Sequence, residues 1–352
     1  MNKSDAYFAI CSWLRPLVAT GAPVPVAPDT DWKLVAAVSS SHFVTPALAL
    51  TLCNSTEVPE DFRIFLSAML DAMTERNALL SDEVALVLQH FNAADVTPVL
   101  LKGVGGLVSA LYPHVGFRVM GDLDLLFRKE ELPVAVRILD QLEFKGARPK
   151  PFSTNHHFPI RIHEQWPAGI ELHTEVLPAA AQHLVEAAAC IRSSSSITFR
   201  GCQAMLPSAT DRAAHNIAHS QIVDGAFWRG VPQIRQLLDL ALLRKHYEQS
   251  IDWNDIADRF RSCSQLPVLT DVLGLSHVLF GQPPPAGLGV STEASTDRLV
   301  ESLERRKGFA PGELSYILRS AVAHQIANPG GHSLSRDAWD RRWRRLRRRF
   351  AR

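Results

Sequence analysis

The sequence predicts an α+β protein, in which a small mixed β-sheet core is flanked by helical regions at both ends of the chain. Three observations support this fold class. Apolar residues follow helical spacing through residues 1–95, short β-branched and alternating segments fill residues 96–178, and helical spacing returns after residue 178. A length of 352 residues and a hydrophobic share of 46% are sufficient for a substantial core without disulfide bonds.

The N-terminal region, residues 1–95, is predicted to be helical. An apolar series recurs there at steps of three and four residues, which places its members on one helix face: Phe62, Phe65, Leu66, Met69 and Met73. This region forms a helical lead-in to the core.

The sequence has no clear export or membrane-insertion signal. The apolar run of residues 6–14 follows Asp5 and ends at Arg15, and no clean small-residue cleavage site comes after it. No uncharged apolar stretch reaches the roughly 18 residues of a spanning helix, because Lys102 interrupts the most apolar region. The five cysteines form no CxxC pair, which disfavours a zinc site or a disulfide framework. We therefore expect a cytoplasmic protein with reduced thiols.

The predicted core, residues 96–178, begins with a strand, a tight turn and a helix. Residues 97–102 are mostly apolar, as in a buried strand, and three glycines follow by residue 106. A helical stretch then continues to about Tyr112. Glycines at the start of a helix leave room for a phosphate to approach the backbone N–H groups. The turn at Lys102 and Gly103 is therefore a candidate phosphate-binding element.

A second strand, within residues 117–127, alternates acidic and apolar residues. Asp122 and Asp124 therefore project from one face, and Leu123 and Leu125 from the other. Two such carboxylates can share a pair of divalent cations, which position and neutralise phosphates in phosphoryl transfer. An isolated Asp-x-Asp pair is a weak signal, because solvated strand faces often carry one.

The rest of the core is predicted as a helix over residues 130–142 and strands over residues 158–164 and 169–176. The last strand places Glu171 and His173 on one face. The order of strand, glycine turn, helix and two acidic strands raises the probability of a metal site above that of the aspartate pair alone.

These motifs resemble the central signature of an uncharacterised nucleotidyltransferase family within the DNA polymerase β-like superfamily. The resemblance extends over roughly residues 60–258, and its most specific parts are residues 100–103, 111–112, 118, 121–126 and 170–173. One departure concerns Lys102 and Gly103, which stand where many superfamily members carry Gly-Ser.

The resemblance implies transfer of a nucleotidyl group from an NTP, with ATP as the expected donor, to a hydroxyl. Asp122, Asp124 and Glu171 would bind a pair of Mg²⁺ ions, and Glu171 would help to activate the attacking hydroxyl. The nucleotide-binding residues would be Lys102, Gly103 and Arg118. The acceptor stays open: a peptide, a protein, a small molecule or a sugar, since bacterial relatives occur in peptide natural-product and polysaccharide settings.

Three of these residues have two interpretations each. Lys102 either contacts phosphates or pairs with the acidic cluster and lowers the pKa of its carboxyls. Arg118 either reaches the nucleotide or braces the loop before the aspartates. His173 is either a ligand or proton carrier in the site or a hydrogen-bonded structural histidine, and we favour the structural role.

The C-terminal region, residues 179–282, is predicted to be mainly helical, over residues 179–192 and 211–263. His215 and His219 are four residues apart and could form a metal pair, but no HExxH motif is present and we favour packing or pocket lining. Arg235 and Asp239 have the spacing of a helix-surface ion pair, worth about 0.2–0.5 kcal/mol if exposed.

Residues 283–352 are predicted to contain linkers at residues 283–296 and 328–335, further helices and a basic amphipathic tail. The tail carries nine arginines from Arg336 to the end of the chain, interleaved with apolar residues at helical spacing: Trp339, Trp343, Leu346 and Phe350. It could pack on its own fold, contact RNA or lie on an anionic surface.

Two alternatives to the proposed reaction follow from these features. The first is a toxin-like transferase that modifies RNA or protein, for which the basic tail is the support. The second is a non-catalytic scaffold that retains the fold. The intact set of three carboxylates disfavours the scaffold, because neighbouring buried acids are costly unless cations or hydrogen bonds compensate them.

Overall fold

A computed structural model describes residues 1–19, 25–146 and 158–305. Within these ranges the chain forms a mixed sheet enclosed by helices, which confirms the predicted α+β class. The predicted linker at residues 328–335 and the basic tail lie outside the described residues. None of the described helices is long and apolar enough to cross a bilayer.

The N-terminal region is helical, as predicted. It contains α1 (Lys3–Leu14), α2 (Trp32–Ser41), α3 (Thr45–Leu52) and α4 (Glu60–Asn92). The long helix α4 contributes to two hydrophobic cores, since its first half packs with the N- and C-terminal helices and its second half packs under the sheet. Because α4 belongs to both cores, it ties the helical regions to the sheet.

The described part of the sheet has seven strands in the order β3-β4-β5-β2-β1-β7-β6. Their bounds are β1 (Val99–Leu100), β2 (Asp122–Leu126), β3 (Lys145–Gly146), β4 (Arg161–Ile162), β5 (Gly169–His173), β6 (Ser195–Phe199) and β7 (Cys202–Leu206). The central strands β2 and β5 are parallel, and β1 runs antiparallel to β2. The acidic strands therefore lie side by side in the middle of the sheet.

The hairpin of β6 and β7 was not predicted from the sequence. Its two-residue turn consists of Arg200 and Gly201, which have φ angles of 49° and 83°. Positive φ at both positions matches the twist of a tight hairpin. The hairpin extends the sheet because β7 pairs with β1 in parallel orientation. Residues 195–206 thus join the sheet, although they follow the predicted core boundary at residue 178.

Two helices connect the central strands, α5 (Lys102–Val108) and α6 (Leu132–Gln141). Both helices were predicted, but α5 ends about four residues before the predicted end near Tyr112, and α6 is one or two residues shorter at each end. Gly105 allows α5 to lie close to β1, since a Cβ at this position would be 2.6 Å from the carbonyl oxygen of Leu100. A larger residue there would push α5 away from the sheet.

The C-terminal region is helical, as predicted, but it is divided into shorter elements. These are α7 (Ala187–Ser193), α8 (Ala209–Ile217), α9 (Ala226–Arg229), α10 (Ile234–Tyr247), α11 (Trp253–Ser262), α12 (Leu266–Phe280) and α13 (Thr292–Arg305). A π-helix, Ala218–Val223, continues α8. The predicted helix over residues 179–192 is reduced to a 3₁₀ turn and α7. Helix α13 begins within the predicted linker of residues 283–296.

The two faces of the central strands have different surroundings. Leu123, Leu125, Ile170 and Leu172 belong to the core formed with α6 and the second half of α4. Alternation along the strands directs the neighbouring acidic residues to the opposite face, towards the C-terminal helices. The fold therefore places the acidic residues between the sheet and the helical region.

Candidate active site

The register between β2 and β5 brings the acidic residues together. Asp124 lies opposite Glu171, and Leu126 lies opposite His173, in a parallel pairing. Since residues two apart on a strand share a face, Asp122, Asp124, Glu171 and His173 all project from the same side of the sheet. The three carboxylates and the histidine named from the sequence are therefore neighbours.

Asp124 is the centre of this cluster. Its side chain is 2% exposed, and its Oδ1 atom lies 2.7 Å from Lys102 Nζ and 3.0 Å from His173 Nε2. Burial alone would raise the pKa of Asp124, but the Lys102 ammonium and the His173 hydrogen bond hold that pKa well below its usual range. Asp124 is therefore ionised throughout the ordinary pH range.

Asp122 differs from Asp124 although only one residue separates them. Burial raises the pKa of Asp122, and the neighbouring Asp124 charge raises it further, while Lys102 opposes both. Two close negative charges repel each other, so ionisation of one carboxylate raises the pKa of the other. A bound cation would favour ionisation of both.

Lys102 forms an ion pair with the acidic cluster. It is the first residue of α5 and has a φ of 45°, which is uncommon for a residue with a side chain. Burial would lower the pKa of Lys102, but Asp124 and Asp122 raise it, so the ammonium stays charged. Of the two interpretations of Lys102, the pairing with the acids is the one seen here, and a contact with phosphate stays a prediction.

Gly103 permits a close approach between α5 and the loop before β2. A Cβ at residue 103 would lie 2.7 Å from Arg118 Nη1 and 3.0 Å from Met120 Cγ. Such distances are shorter than real Cβ contacts, so the neighbouring side chains would have to move. The glycine therefore has a packing role in addition to the predicted nucleotide contact.

Arg118 braces the loop before β2. Its Nε atom donates to Asp239 Oδ2 on α10 at 2.8 Å, and its Nη1 atom donates to the Val119 carbonyl oxygen at 3.2 Å. Asn77 on α4 donates to the carbonyl oxygen of the same arginine at 2.9 Å. These contacts match the bracing interpretation of Arg118, whereas its predicted contact with nucleotide stays a prediction.

The expected surface ion pair between Arg235 and Asp239 is not the pairing found. Asp239 is buried, and the residue that donates to its carboxylate is Arg118. The Arg235 guanidinium lies 4.7 Å from the ring centroid of Phe43 and donates to the Val119 carbonyl oxygen at 3.3 Å. Burial, assisted by the charge of Arg118, lowers the pKa of Arg235 to about 10.

A small cavity of about 70 Å³ lies beside Lys102, between the core and the helices α8 and α10. His215 and His219 both line it, with ring centroids 5.9 Å apart and nearly perpendicular planes. Burial holds the pKa of His215 well below its usual range, so this ring is neutral. The two histidines thus line a pocket, as favoured from the sequence.

Two polar residues that α8 contributes to this cavity were not identified from the sequence. Arg212 and Asn216 line it together with His215 and His219. The spacing of these positions, 212, 215, 216 and 219, is that of one helix face. A polar face that points inwards was the available signal, but its direction becomes clear only when α8 is packed against the core.

The donor atoms of the cluster fit a divalent cation. One atom each from Asp124, Glu171 and His173 lie within 4.8 Å of one another, and Asp122 projects from the same strand face. The Lys102 ammonium already forms a close cation contact with Asp124. Clustered carboxylates with an imidazole nitrogen are a common donor set for metal ions.

The fold and the site are consistent with the class of enzymes that transfer phosphorus-containing groups. Carboxylates on adjacent central strands can hold the cations that neutralise phosphate charge in such reactions, and a glycine-containing helix start lies beside them. The chain matches the model of a family described as "Uncharacterised nucleotidyltransferase" over residues 28–281, and it belongs to that family. No curated protein and no solved structure matches it significantly. Family membership supports a nucleotidyltransferase activity and implies an NTP substrate.

Proposed function

We propose that the protein transfers a nucleoside monophosphate from an NTP, with ATP as the expected donor, to a hydroxyl of an acceptor in an Mg²⁺-dependent reaction. The convergence of Asp122, Asp124 and Glu171 on one sheet face beside Lys102 is the observation that carries this proposal. The acceptor is a peptide, a protein, a small molecule or a sugar.

The three carboxylates are the residues that would hold a pair of Mg²⁺ ions. When bound, such ions position phosphate oxygens and neutralise the charge that develops on them. Lys102 contributes a permanent positive charge at the same place, because its pKa is raised by the acids around it. Its ammonium can move from Asp124 to a phosphate oxygen when the carboxylate acquires another cation.

Glu171 is suited to accept the proton of the acceptor hydroxyl. Its side chain is 17% exposed, against 2% for Asp124, so an incoming group reaches it more easily. The acceptor oxygen forms a bond to the α-phosphorus while the bond from that phosphorus to the bridging oxygen breaks. Pyrophosphate leaves with the bonding electrons, and the hydroxyl proton passes to the Glu171 carboxylate.

A larger cavity of about 800 Å³ is lined by none of Asp122, Asp124 and Glu171, so it is separate from the acidic cluster. It lies where β2 and β5 end, since Phe127 and Thr174 line it. Its lining includes side chains of both charges, among them Arg128, Glu130 and Arg192.

Label transfer tests the proposal. Purified protein is incubated with Mg²⁺, desalted cell extract and each common NTP, labelled separately at the α- or γ-phosphate. We expect metal-dependent incorporation of α-label by wild type and by Asp258→Asn, whose carboxylate is on the surface, but not by Asp124→Asn. Incorporation of γ-label would indicate a phosphotransferase instead. No incorporation of either label, without NTP binding in calorimetry, would favour the non-catalytic scaffold.

A further inference from the structure

We propose that Asp124, Glu171 and His173 form a site for a divalent first-row transition-metal ion, with His173 Nε2 as a direct ligand. The inference rests on the proposed function, because it concerns the ion that the protein itself holds in that site. The metal-binding residues expected from the sequence are all carboxylates. Here the His173 imidazole nitrogen takes the place of one carboxylate oxygen.

The distances between the donor atoms fit a single ion. His173 Nε2 lies 3.0 Å from Asp124 Oδ1 and 3.6 Å from Glu171 Oε2. Adjacent ligands of an octahedral ion with bonds of about 2.1 Å are about 3.0 Å apart. The pair of His173 and Asp124 therefore already has the spacing of neighbouring ligands, and Glu171 needs only a small movement of its carboxylate.

His173 is fixed in this position by its strand. Its side chain is fully buried, and its carbonyl oxygen accepts a hydrogen bond from the Phe127 N–H at 2.9 Å. The strand therefore directs the Nε2 atom towards two carboxylates. In a purely structural role the same Nε2 would carry a proton and donate it to the neighbouring carboxylates, so coordination and hydrogen bonding are alternatives that an experiment can separate.

Lys102 already places a cation beside Asp124. Its ammonium lies 2.7 Å from Asp124 Oδ1, the atom that His173 also contacts. Without a metal, the buried carboxylate is thus compensated by an ammonium and an imidazole. A divalent ion would be held by the Asp124 carboxylate and the His173 imidazole, and the Lys102 ammonium would have to move away from Asp124.

The imidazole ligand determines the kind of ion. Mg²⁺ takes oxygen ligands almost exclusively, whereas divalent first-row transition ions accept imidazole nitrogen together with carboxylate. Asp122, two positions before Asp124 on β2, has only oxygen donors and suits an Mg²⁺ ion that arrives with the triphosphate. The site would then use two different ions, one held by the protein and one brought by the nucleotide.

Electron spin echo spectroscopy of bound Mn²⁺ tests the ligand directly. The full chain is stripped of metal with a chelator and titrated with MnCl₂ alone, without nucleotide. We expect one bound Mn²⁺ with ¹⁴N modulation from a coordinated imidazole, which changes to the ¹⁵N pattern when the protein is grown with ¹⁵N-histidine. The isotope experiment requires no substitution, so a folding defect cannot affect it.

Variants and competition give further readouts. We expect His173→Gln to lose the nitrogen modulation and to bind Mn²⁺ at least about tenfold more weakly. His90→Gln, which changes an exposed histidine on α4, serves as the matched control and should behave as wild type. Mg²⁺ should displace the bound Mn²⁺ only at an excess of about tenfold or more.

Several results would overturn the inference. They are the absence of bound Mn²⁺, bound Mn²⁺ without nitrogen modulation, modulation that persists in His173→Gln, and displacement by an equal concentration of Mg²⁺. The nucleotide-free measurement also separates this inference from the proposed function. Nitrogen-coordinated Mn²⁺ without α-label transfer would support the metal site and contradict the proposed reaction. Label transfer without nitrogen coordination would support the reaction and contradict the metal site.

Discussion

Replacement of Glu83 by glutamine should remove a pH dependence of stability that the fold creates at the start of β5. Glu83 is completely buried in α4, and its Oε2 atom accepts a hydrogen bond from the Ala168 N–H at 3.3 Å. Burial raises the pKa of this carboxyl from 4.5 to about 8, although the Ala168 hydrogen bond and the Arg76 charge both lower it. Glu83 is therefore mostly neutral at pH 7 in the folded protein.

The size and sign of the effect follow from this shift. Each pKa unit corresponds to about 1.4 kcal/mol, so a rise from 4.5 to about 8 corresponds to roughly 4–5 kcal/mol. The folded state keeps a proton that the unfolded chain releases above pH 4.5. The contribution of the Glu83 proton to the free energy of unfolding is therefore complete below pH 4.5. It decreases as the pH rises, until the folded carboxyl ionises near pH 8.

Urea unfolding at pH values from 5 to 9 measures this contribution. The unfolding free energy of wild type, minus that of Glu83→Gln, should fall as the pH rises from 5 to 9, by a few kcal/mol in total. Glu164→Gln, which changes an exposed glutamate, is the control and should show no such trend. A difference that stays constant from pH 5 to pH 9 would refute the assignment of a neutral, buried Glu83.

Three further substitutions test the neighbourhood of the site. Lys102→Met removes the ammonium from Asp124 and should increase Mn²⁺ affinity in calorimetry while it abolishes label transfer; unchanged affinity would contradict competition between lysine and metal. Asp239→Ala leaves Arg118 buried without its carboxylate, so urea unfolding should show a loss of about 3–5 kcal/mol, and a loss below 1 kcal/mol would mean that the pair is not buried as described. Gly103→Ala places a Cβ 2.7 Å from Arg118 Nη1 and should lower stability by about 1–3 kcal/mol; an unchanged urea midpoint would show that the guanidinium moves away freely.

The acidic strands could be recognised from the sequence because the alternating pattern that identifies them involves only residues close together in the chain. Alternation with a period of two places Asp122 and Asp124 on one face whatever the rest of the chain does. The sheet register adds that Asp124 lies opposite Glu171, a contact between positions 47 residues apart that spacing alone does not determine. The face could therefore be predicted, whereas the partner across the strands was suggested by the family resemblance.

The elements that were missed depend on distant contacts or on weak patterns. Strand β6 is mostly exposed, so its residues lack the strong apolar alternation that identifies a half-buried strand. The partner of Asp239 is Arg118, 121 positions earlier in the chain, whereas Arg235 is only one helical turn away. Local spacing favoured the nearer arginine, and the packing of α10 against the core selected the distant one.

Lys102 and Gly103 differ from the Gly-Ser pair expected from the family resemblance, and the structure gives a physical explanation for this difference. Lys102 occupies the left-handed region, with a φ of 45°, that a glycine would adopt without strain. A larger residue at Gly103 would have a cost, because its Cβ would lie only 2.7 Å from Arg118 Nη1. The backbone strain at Lys102 is accompanied by an ion pair with Asp124, so a strained residue lies where a cation is required.

Asp239 holds Arg118, Arg118 packs against Gly103, and the helix that begins there directs Lys102 to Asp124. This series of contacts connects the C-terminal helix α10 to the Lys102–Asp124 ion pair in the acidic cluster.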